Sequence, residues 1–324
     1  MANQDLKRPV WPRVAVMGAG AVGCYFGGML ARAGAPVTLI ARAQHVAAIR
    51  RDGLRFEGVH FQENIPLAAS AEPGAVRGAQ WVLFCVKSVD TEAAAEQIAP
   101  HLDPGAIVLA MQNGVDNIER IRRHLPNPVL AAVVYVAAAM SGPGVVRHTG
   151  RGDLVIGELA NPDGHASLPA RRIDEIAALL ARADIPCRVS DNVEGELWQK
   201  LLLNCAYNAI SALGRAQYER IAAAPEALAV MRAAVREVLD VARAGGVKMP
   251  PGDMVDAAVK LADAMPKATS STAQDIARGK LTEIDHLNGY VFRRGLALGV
   301  ATPVNQTLHA LVKLLENAHG PASS

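Results

Sequence analysis

The residues Gly18-Ala19-Gly20-Ala21-Val22-Gly23 have the spacing that lets backbone amides hold a pyrophosphate. The β-branched run Val14–Met17 enters this hexamer and reads as a strand. The Ala-rich stretch Val22–Ala33 leaves it and reads as a helix. In that context Gly18 allows a tight turn and Gly20 lets a phosphate approach the backbone. Gly23 lets the helix sit close to the strand, and Ala21 and Val22 open the helix whose amides face the anion. The next run, Val37–Ile40, ends in Ala41-Arg42 and carries no Asp or Glu to take a ribose 2′-hydroxyl. A guanidinium at Arg42 suits a 2′-phosphate instead, which favours NADP(H). A solvent-exposed arginine at a strand end would not account for the missing acid.

Two further loops follow strand-like runs. Trp81–Val86 ends in Lys87-Ser88, and Ile107–Ala110 runs into Met111-Gln112-Asn113-Gly114. Ligands of open α/β sheets bind beyond the carboxyl ends of the strands, where both loops should lie. Taken singly, Asn-Gly also reads as a turn and a lone lysine as a solvated charge. Later in the chain Glu196, Lys200, Asn204 and Asn208 recur at every fourth position. On a helix such residues drift by only about 40° per step, so they share one face. Their neighbours are largely apolar, and buried amides need partners. A ligand, a buried network between helices or solvent could supply them. Another polar block, Thr269–Asp275, leads to Lys280-Leu281-Thr282-Glu283-Ile284-Asp285. Ser271 with Gln274 fits a capping box, so a helix is expected to begin there.

These residues must be positioned by a chain of 324 residues, long enough for two domains. Lys and Arg number 33 against 31 Asp and Glu, a formal charge of +2 that argues against nucleic acid as a partner. The apolar content of 51% excludes disorder for most of the chain. Up to about residue 190, β-branched runs alternate with helical stretches such as Thr91–Ala99, which implies a parallel sheet covered on both faces. Asp153–Glu158, preceded by glycines, suggests a hairpin or edge strands. Asn161–Gly164 is a turn, Ala170–Ala183 an amphipathic helix and Cys187–Ser190 a last strand. Beyond it the patterns turn helical: Val193–Leu213, Pro225–Ala244, Gly252–Ala264 and Ala273–Ala297. The expected fold is therefore an α/β N-terminal Rossmann-type doubly wound domain over residues 1–191, followed by an all-α domain over 192–324.

The longest nearly uncharged apolar stretch, Val129–Met140, is too short to span a membrane, which takes about 20 residues. Met1–Arg13 lacks the apolar segment of a signal peptide and reads as a loose leader, and Gly320–Ser324 as a frayed end. Cys24, Cys85, Cys187 and Cys205 form no metal or disulfide pattern, so they are expected to be thiols in the cytoplasm.

The chain resembles the ketopantoate reductase (2-dehydropantoate 2-reductase) family along nearly its whole length. The resemblance rests on Gly18–Gly23, Lys87, Gln112-Asn113-Gly114 and the run from Lys200 through Asn204 to Asn208. It extends through Ser270-Ser271, Gln274-Asp275-Ile276 and Thr282-Glu283-Ile284-Asp285. It implies reduction of 2-dehydropantoate to pantoate by NADPH, in the route to pantothenate and coenzyme A. It implies Lys200 as the general acid, and Asn113 beside the nicotinamide and the reacting carbonyl. Asn204 and Asn208 would hold substrate oxygens and Ser271 the carboxylate. Glu283 would accept a hydrogen bond from a substrate hydroxyl and orient Lys200. Lys87 would lie along the cofactor, and Arg42 matches the 2′-phosphate contact. Ala268 stands where the resemblance implies a substrate-binding Asn, and Val133–Ala139 lacks a Thr-rich run. Reduction of another 2-oxo acid and NADPH sensing without turnover therefore stay open. The partner the resemblance implies is a small 2-oxo acid, and the Ala-rich helices leave a homodimer open.

Overall fold

The computed structural model describes residues 10–160 and 164–318. Residues 1–9 of the expected leader, 161–163 of the expected turn and 319–324 at the expected frayed end lie outside them. The leader's last residues are not loose. Trp11 packs against the first core, and Arg13 Nε donates to the Gly78 carbonyl at 2.6 Å. The chain divides into two units, Met1–Gln112 with Asn117–Asp191, and Asn113–Asp116 with Asn192–Ser324.

The first unit is built on a ten-stranded sheet. Its strands are β1 (Val14–Met17), β2 (Val37–Ile40), β3 (Leu54–Glu57), β4 (Gln62–Ile65), β5 (Ala68–Ser70), β6 (Trp81–Phe84), β7 (Ile107–Ala110), β8 (Val129–Gly142), β9 (Val145–Gly157) and β10 (Cys187–Val189). Helices α1 (Ala21–Arg32), α2 (Ala43–Asp52), α3 (Thr91–Ile98), α4 (Asn117–Arg122) and α5 (Ala170–Arg182) connect them. The order is β4-β3-β9-β8-β7-β6-β1-β2-β5, with β10 beside β9. From β5 to β8 every pairing is parallel. Every residue of β1, β6 and β7 is buried, which is why these strands read as unbroken apolar runs rather than alternations. Trp81, Phe26, Phe56 and Phe84 are the bulkiest fully buried side chains of this core. Each large apolar side chain so buried contributes about 1.5–3 kcal/mol.

Part of this sheet departs from the sequence reading. Val129–Met140, noted above only for its length, lies within the 14-residue strand β8. It pairs antiparallel with β9, which begins well before the expected Asp153. The pair turns at Gly144, whose φ of +69° suits a glycine. The short strands β3, β4 and β5 had no counterpart in the reading. Gln62-Glu63-Asn64 of β4 and the small residues of β5 give no apolar alternation, and Leu54-Arg55-Phe56-Glu57 of β3 alternates over four residues only, the shortest run that reads as a strand.

The second unit is helical: α6 (Val193–Gly214), α7 (Tyr218–Ala223), α8 (Pro225–Ala244), α9 (Met254–Ala264), α10 (Ser271–Ala277), α11 (Asn288–Leu298) and α12 (Pro303–Ala318). Asn192 caps α6 by accepting from Gly195 N at 3.3 Å, and Asp253 caps α9. The expected continuous helix over Ala273–Ala297 is two helices. Gly279 adopts φ +63° after α10, a conformation that ends a helix. The chain then runs through one 3-10 turn, Ile284–His286, before α11 begins. No helix of the described residues is long and apolar enough to cross a membrane.

Candidate active site

In the first unit, parallel register aligns the strand ends. Met17 pairs with Ile40 and with Phe84, and Phe84 pairs with Ala110. The glycine loop, Arg42, Lys87 and Gln112 therefore follow neighbouring strands on one edge of the sheet. β1 is flanked by β2 on one side and β6 on the other, so this edge includes the topological switch point where such sheets bind ligands. The amides of Gly18 and Ala19 donate to the Ile40 carbonyl, tying the loop to the end of β2.

The loop has the shape a dinucleotide requires. Gly18 has φ +92°, and a Cβ there would come within 2.6 Å of Val86 N. A Cβ on Gly23 would come within 2.5 Å of the Gly18 carbonyl, so only glycine lets α1 start this close to β1. A Cβ on Gly20 would meet nothing within 4 Å, so the loop presents open space at the residue that caps α1. No acidic residue occupies the first turn of α1 or of α2. Arg42 is the N-cap of α2, with its side chain exposed. Amides, open space and a guanidinium without competing carboxylates fit the phosphates of a dinucleotide.

A buried polar network lies beneath this edge. Gln112 Nε2 donates to Thr91 Oγ1 at 2.6 Å, and Thr91 Oγ1 lies 2.9 Å from Asn117 Oδ1 and 3.0 Å from the Ser88 carbonyl. Arg120 Nη1 donates to the same carbonyl at 2.8 Å. The loops after β6 and β7 are thus joined through the starts of α3 and α4. Gln112 Oε1 is buried without a hydrogen-bond partner. Of this network the sequence places Ser88 and Gln112 in the two strand-end loops. Ser88, Thr91 and Asn117 resemble ordinary helix-start residues, and their burial has no local signature.

In the second unit, α6 carries the four-residue stripe. Glu196 and Asn208 are buried, and Lys200 and Asn204 half-buried, so the stripe is not a solvent face. Asn208 is 2% exposed, and its Nδ2 has no hydrogen-bond partner. A buried amide left unmatched costs about 1–3 kcal/mol, which makes this nitrogen a donor awaiting an acceptor. The adjoining Ser270, not the expected Ser271, caps α10. Ser270 Oγ accepts from Ala273 N at 3.0 Å and donates to the Asn208 carbonyl at 3.1 Å. Residue three of that box is therefore Ala273 rather than Gln274, and Gln274 Nε2 donates to the Thr269 carbonyl. Ser271 is exposed, so its hydroxyl is not committed to the cap.

Asn113 and Glu283, distant in sequence, meet. Asn113 Nδ2 donates to Glu283 Oε2 at 2.9 Å. One turn along each segment, Asp116 Oδ2 lies 3.3 Å from His286 Nδ1. Behind Glu283, His309, Lys313 and Glu316 of α12 contact Thr282 and Asp285. The hydrogen bond from His309 holds the Asp285 carboxyl well below the usual carboxylate range, and Lys313 adds to it. Burial alone would lower the Lys313 ammonium, but its bonds to Glu316 and Asp285 outweigh this and raise it. The sequence reading passed over this group. Its one signal was polar residues at 309, 313 and 316 along an apolar helix. Among the described residues, no group of three or more His, Cys, Asp or Glu could hold a metal ion.

A mixed sheet, parallel from β5 to β8, with a glycine loop at its switch point, followed by a helical unit with a polar stripe, defines the class as a dinucleotide-binding α/β protein with an all-α second unit. The chain belongs to the ketopantoate reductase PanE/ApbA family. That family's model matches residues 14–161, and its C-terminal model matches residues 192–316. The 2-dehydropantoate 2-reductase of Halobacterium salinarum is 33% identical over 94% of this chain and 99% of its own length. That of Pyrobaculum aerophilum is 35% identical over 93% of this chain and 97% of its own. A crystal structure of a PanE/ApbA family ketopantoate reductase from Ralstonia eutropha JMP134 is 53% identical. It covers 95% of this chain and 100% of its own, with a TM-score of 0.88.

Proposed function

We propose that the protein is a cytoplasmic enzyme that reduces 2-dehydropantoate to pantoate with NADPH. The observation that carries this reading is similarity to 2-dehydropantoate 2-reductases along both units, at 33% and 35% identity. In this reading residues 1–191 bind NADP(H), and residues 192–324 bind the keto acid and pair two copies of the chain. Gly18, Gly20, Ala21, Val22 and Gly23 cradle the pyrophosphate, Arg42 takes the 2′-phosphate and Lys87 lies along the cofactor. Bound NADPH supplies the hydride. The Lys200 ammonium stabilises the negative charge growing on the ketone oxygen and donates a proton to it. Asn113 hydrogen-bonds near the reacting carbonyl. Asn204 and Asn208 donate to substrate oxygens, and the unmatched Asn208 Nδ2 supports that role. Ser271 binds the carboxylate. Glu283 accepts from a substrate hydroxyl and orients Lys200, and its bond from Asn113 supports a shared task. Exposed Leu296, Leu311 and Leu314 on the packed pair α11 and α12 are candidates for the surface between two copies.

A second reading, reduction of another 2-oxo acid, is favoured by Ala268. Its carbonyl accepts from Tyr218 N, and its methyl packs against the apolar core of the second unit. It offers no polar side-chain contact, and a missing polar partner weakens discrimination. The test is NADPH oxidation at 340 nm with 2-dehydropantoate beside a panel of 2-oxo acids. Preference for 2-dehydropantoate by about tenfold or more in kcat/KM, about 1.4 kcal/mol, is expected. Preference for another acid would give the second reading, and no turnover with NADPH still bound would point to a sensor.

A further inference from the structure

The chain from 278 to 286 has no α-helix of its own, yet Thr282 and Ile284 in it are buried. One face of α12 holds it. Glu316 Oε1 accepts from both Thr282 N, at 2.7 Å, and Thr282 Oγ1, at 2.6 Å. The Ile284 amide donates to Thr282 Oγ1 at 3.1 Å. Lys313 Nζ bridges Glu316 Oε2 at 2.8 Å and Asp285 Oδ2 at 2.9 Å, and His309 Nε2 lies 2.7 Å from Asp285 Oδ1. Glu283 sits inside this grip, with Thr282 anchored just before it and Ile284 and Asp285 just after it. Its own carboxylate takes the bond from Asn113. Glu316 is 7% exposed, and burying a carboxylate costs several kcal/mol unless it is paired and hydrogen-bonded. Here the expense fixes the one residue-length of backbone from which Glu283 projects.

We propose that Glu316 and Thr282 are positioning residues that set the Glu283 carboxylate in place for the substrate hydroxyl and for Lys200. This rests on the reading of Glu283 given above. A carboxylate displaced by even an ångström loses both hydrogen-bond length and angle, so an error in the backbone reads out as catalytic loss. NADPH binding, assigned to the other unit, should be indifferent to it.

The test uses the full chain in steady state with NADPH and 2-dehydropantoate, comparing Thr282→Val, Thr282→Ser, Glu316→Gln and Glu283→Gln. Thr282→Val and Glu316→Gln are expected to lower kcat/KM about tenfold, largely through a raised KM for the keto acid. The KM for NADPH is expected to stay within about twofold, and Thr282→Ser to restore most of the loss. A merely structural role would reduce the amount of active protein, lowering kcat and leaving both KM values in place. If Glu283→Gln is impaired while Thr282→Val and Glu316→Gln keep the parent keto-acid KM, the positioning role is overturned. If Glu283→Gln itself behaves like the parent, the role of Glu283 falls and the proposal with it, so the two failures are told apart.

Discussion

The two units assemble their functional groups in opposite ways. In the proposed function, recognition in the first is built from backbone: a loop whose shape depends on Gly18 and Gly23, and amides at the start of α1. Two side chains proposed to meet the cofactor, Arg42 and Lys87, add to it. In the second, recognition is built from side chains that helices and a gripped coil bring together, with Asn113 meeting Glu283 across the sequence. A backbone site depends on space and turn geometry, whereas a side-chain site depends on tertiary packing. Each unit is therefore fragile at a different point.

On the backbone site the largest expected effect is at Arg42, proposed to take the 2′-phosphate. Arg42→Asp should weaken NADPH by about 100-fold, the scale of a lost charge-assisted hydrogen bond plus repulsion, and NADH far less. Equal loss for both, measured by fluorescence titration, would remove Arg42 from the 2′-phosphate. Next come the glycines. Gly23→Ala must displace the Gly18 carbonyl or the Val16 side chain and should cost about 1–3 kcal/mol of stability. Gly20→Ala meets no protein atom, so its unfolding midpoint should hold while NADPH binding falls about tenfold. A destabilised Gly20→Ala, seen in a denaturant melt, would mean the space is not kept for a ligand.

The smallest effect belongs to the side-chain unit and depends on pH. The Asp285 carboxyl is held below its ordinary value, about 3.9, chiefly by the hydrogen bond from His309. Its contribution to stability is therefore complete above that value and is lost as pH falls below it toward the depressed folded value. Asp285→Asn should be less stable than the parent at neutral pH, and the gap should close in acid. A gap independent of pH from 7 down to about 3 would show that the charge is not what stabilises.

The same contrast explains what can be read from the sequence. The strands Val14–Met17, Trp81–Phe84 and Ile107–Ala110 are buried on both faces, so their apolar runs announce them at once. The glycine loop is equally local, since turn, approach and packing all lie within six residues. The long β8–β9 pair is different, because an apolar run of that length fits several structures until its partner strand is known. The break between α10 and α11 hides because apolar spacing continues on both sides of Gly279. The Ser270 cap differs from Ser271 by one residue, a shift decided by the bond to the Asn208 carbonyl in another helix. The stripe Lys200, Asn204 and Asn208 is visible as a pattern among apolar neighbours, but the graded burial along it, half-buried at Lys200 and Asn204 and complete at Asn208, is not. The grip of α12 on Thr282 and Asp285 joins residues 24 to 34 positions apart, beyond any local period.

In the proposed function the helical unit does the chemistry while the sheet unit holds the cofactor. Lys200→Ala tests it most directly, with turnover followed at 340 nm and NADPH affinity measured on the same protein. Turnover is expected to fall by about a thousandfold, within the usual range for removal of a general acid, with the NADPH Kd within about twofold of the parent. Near-parent turnover, or NADPH binding lost together with turnover, would contradict that division.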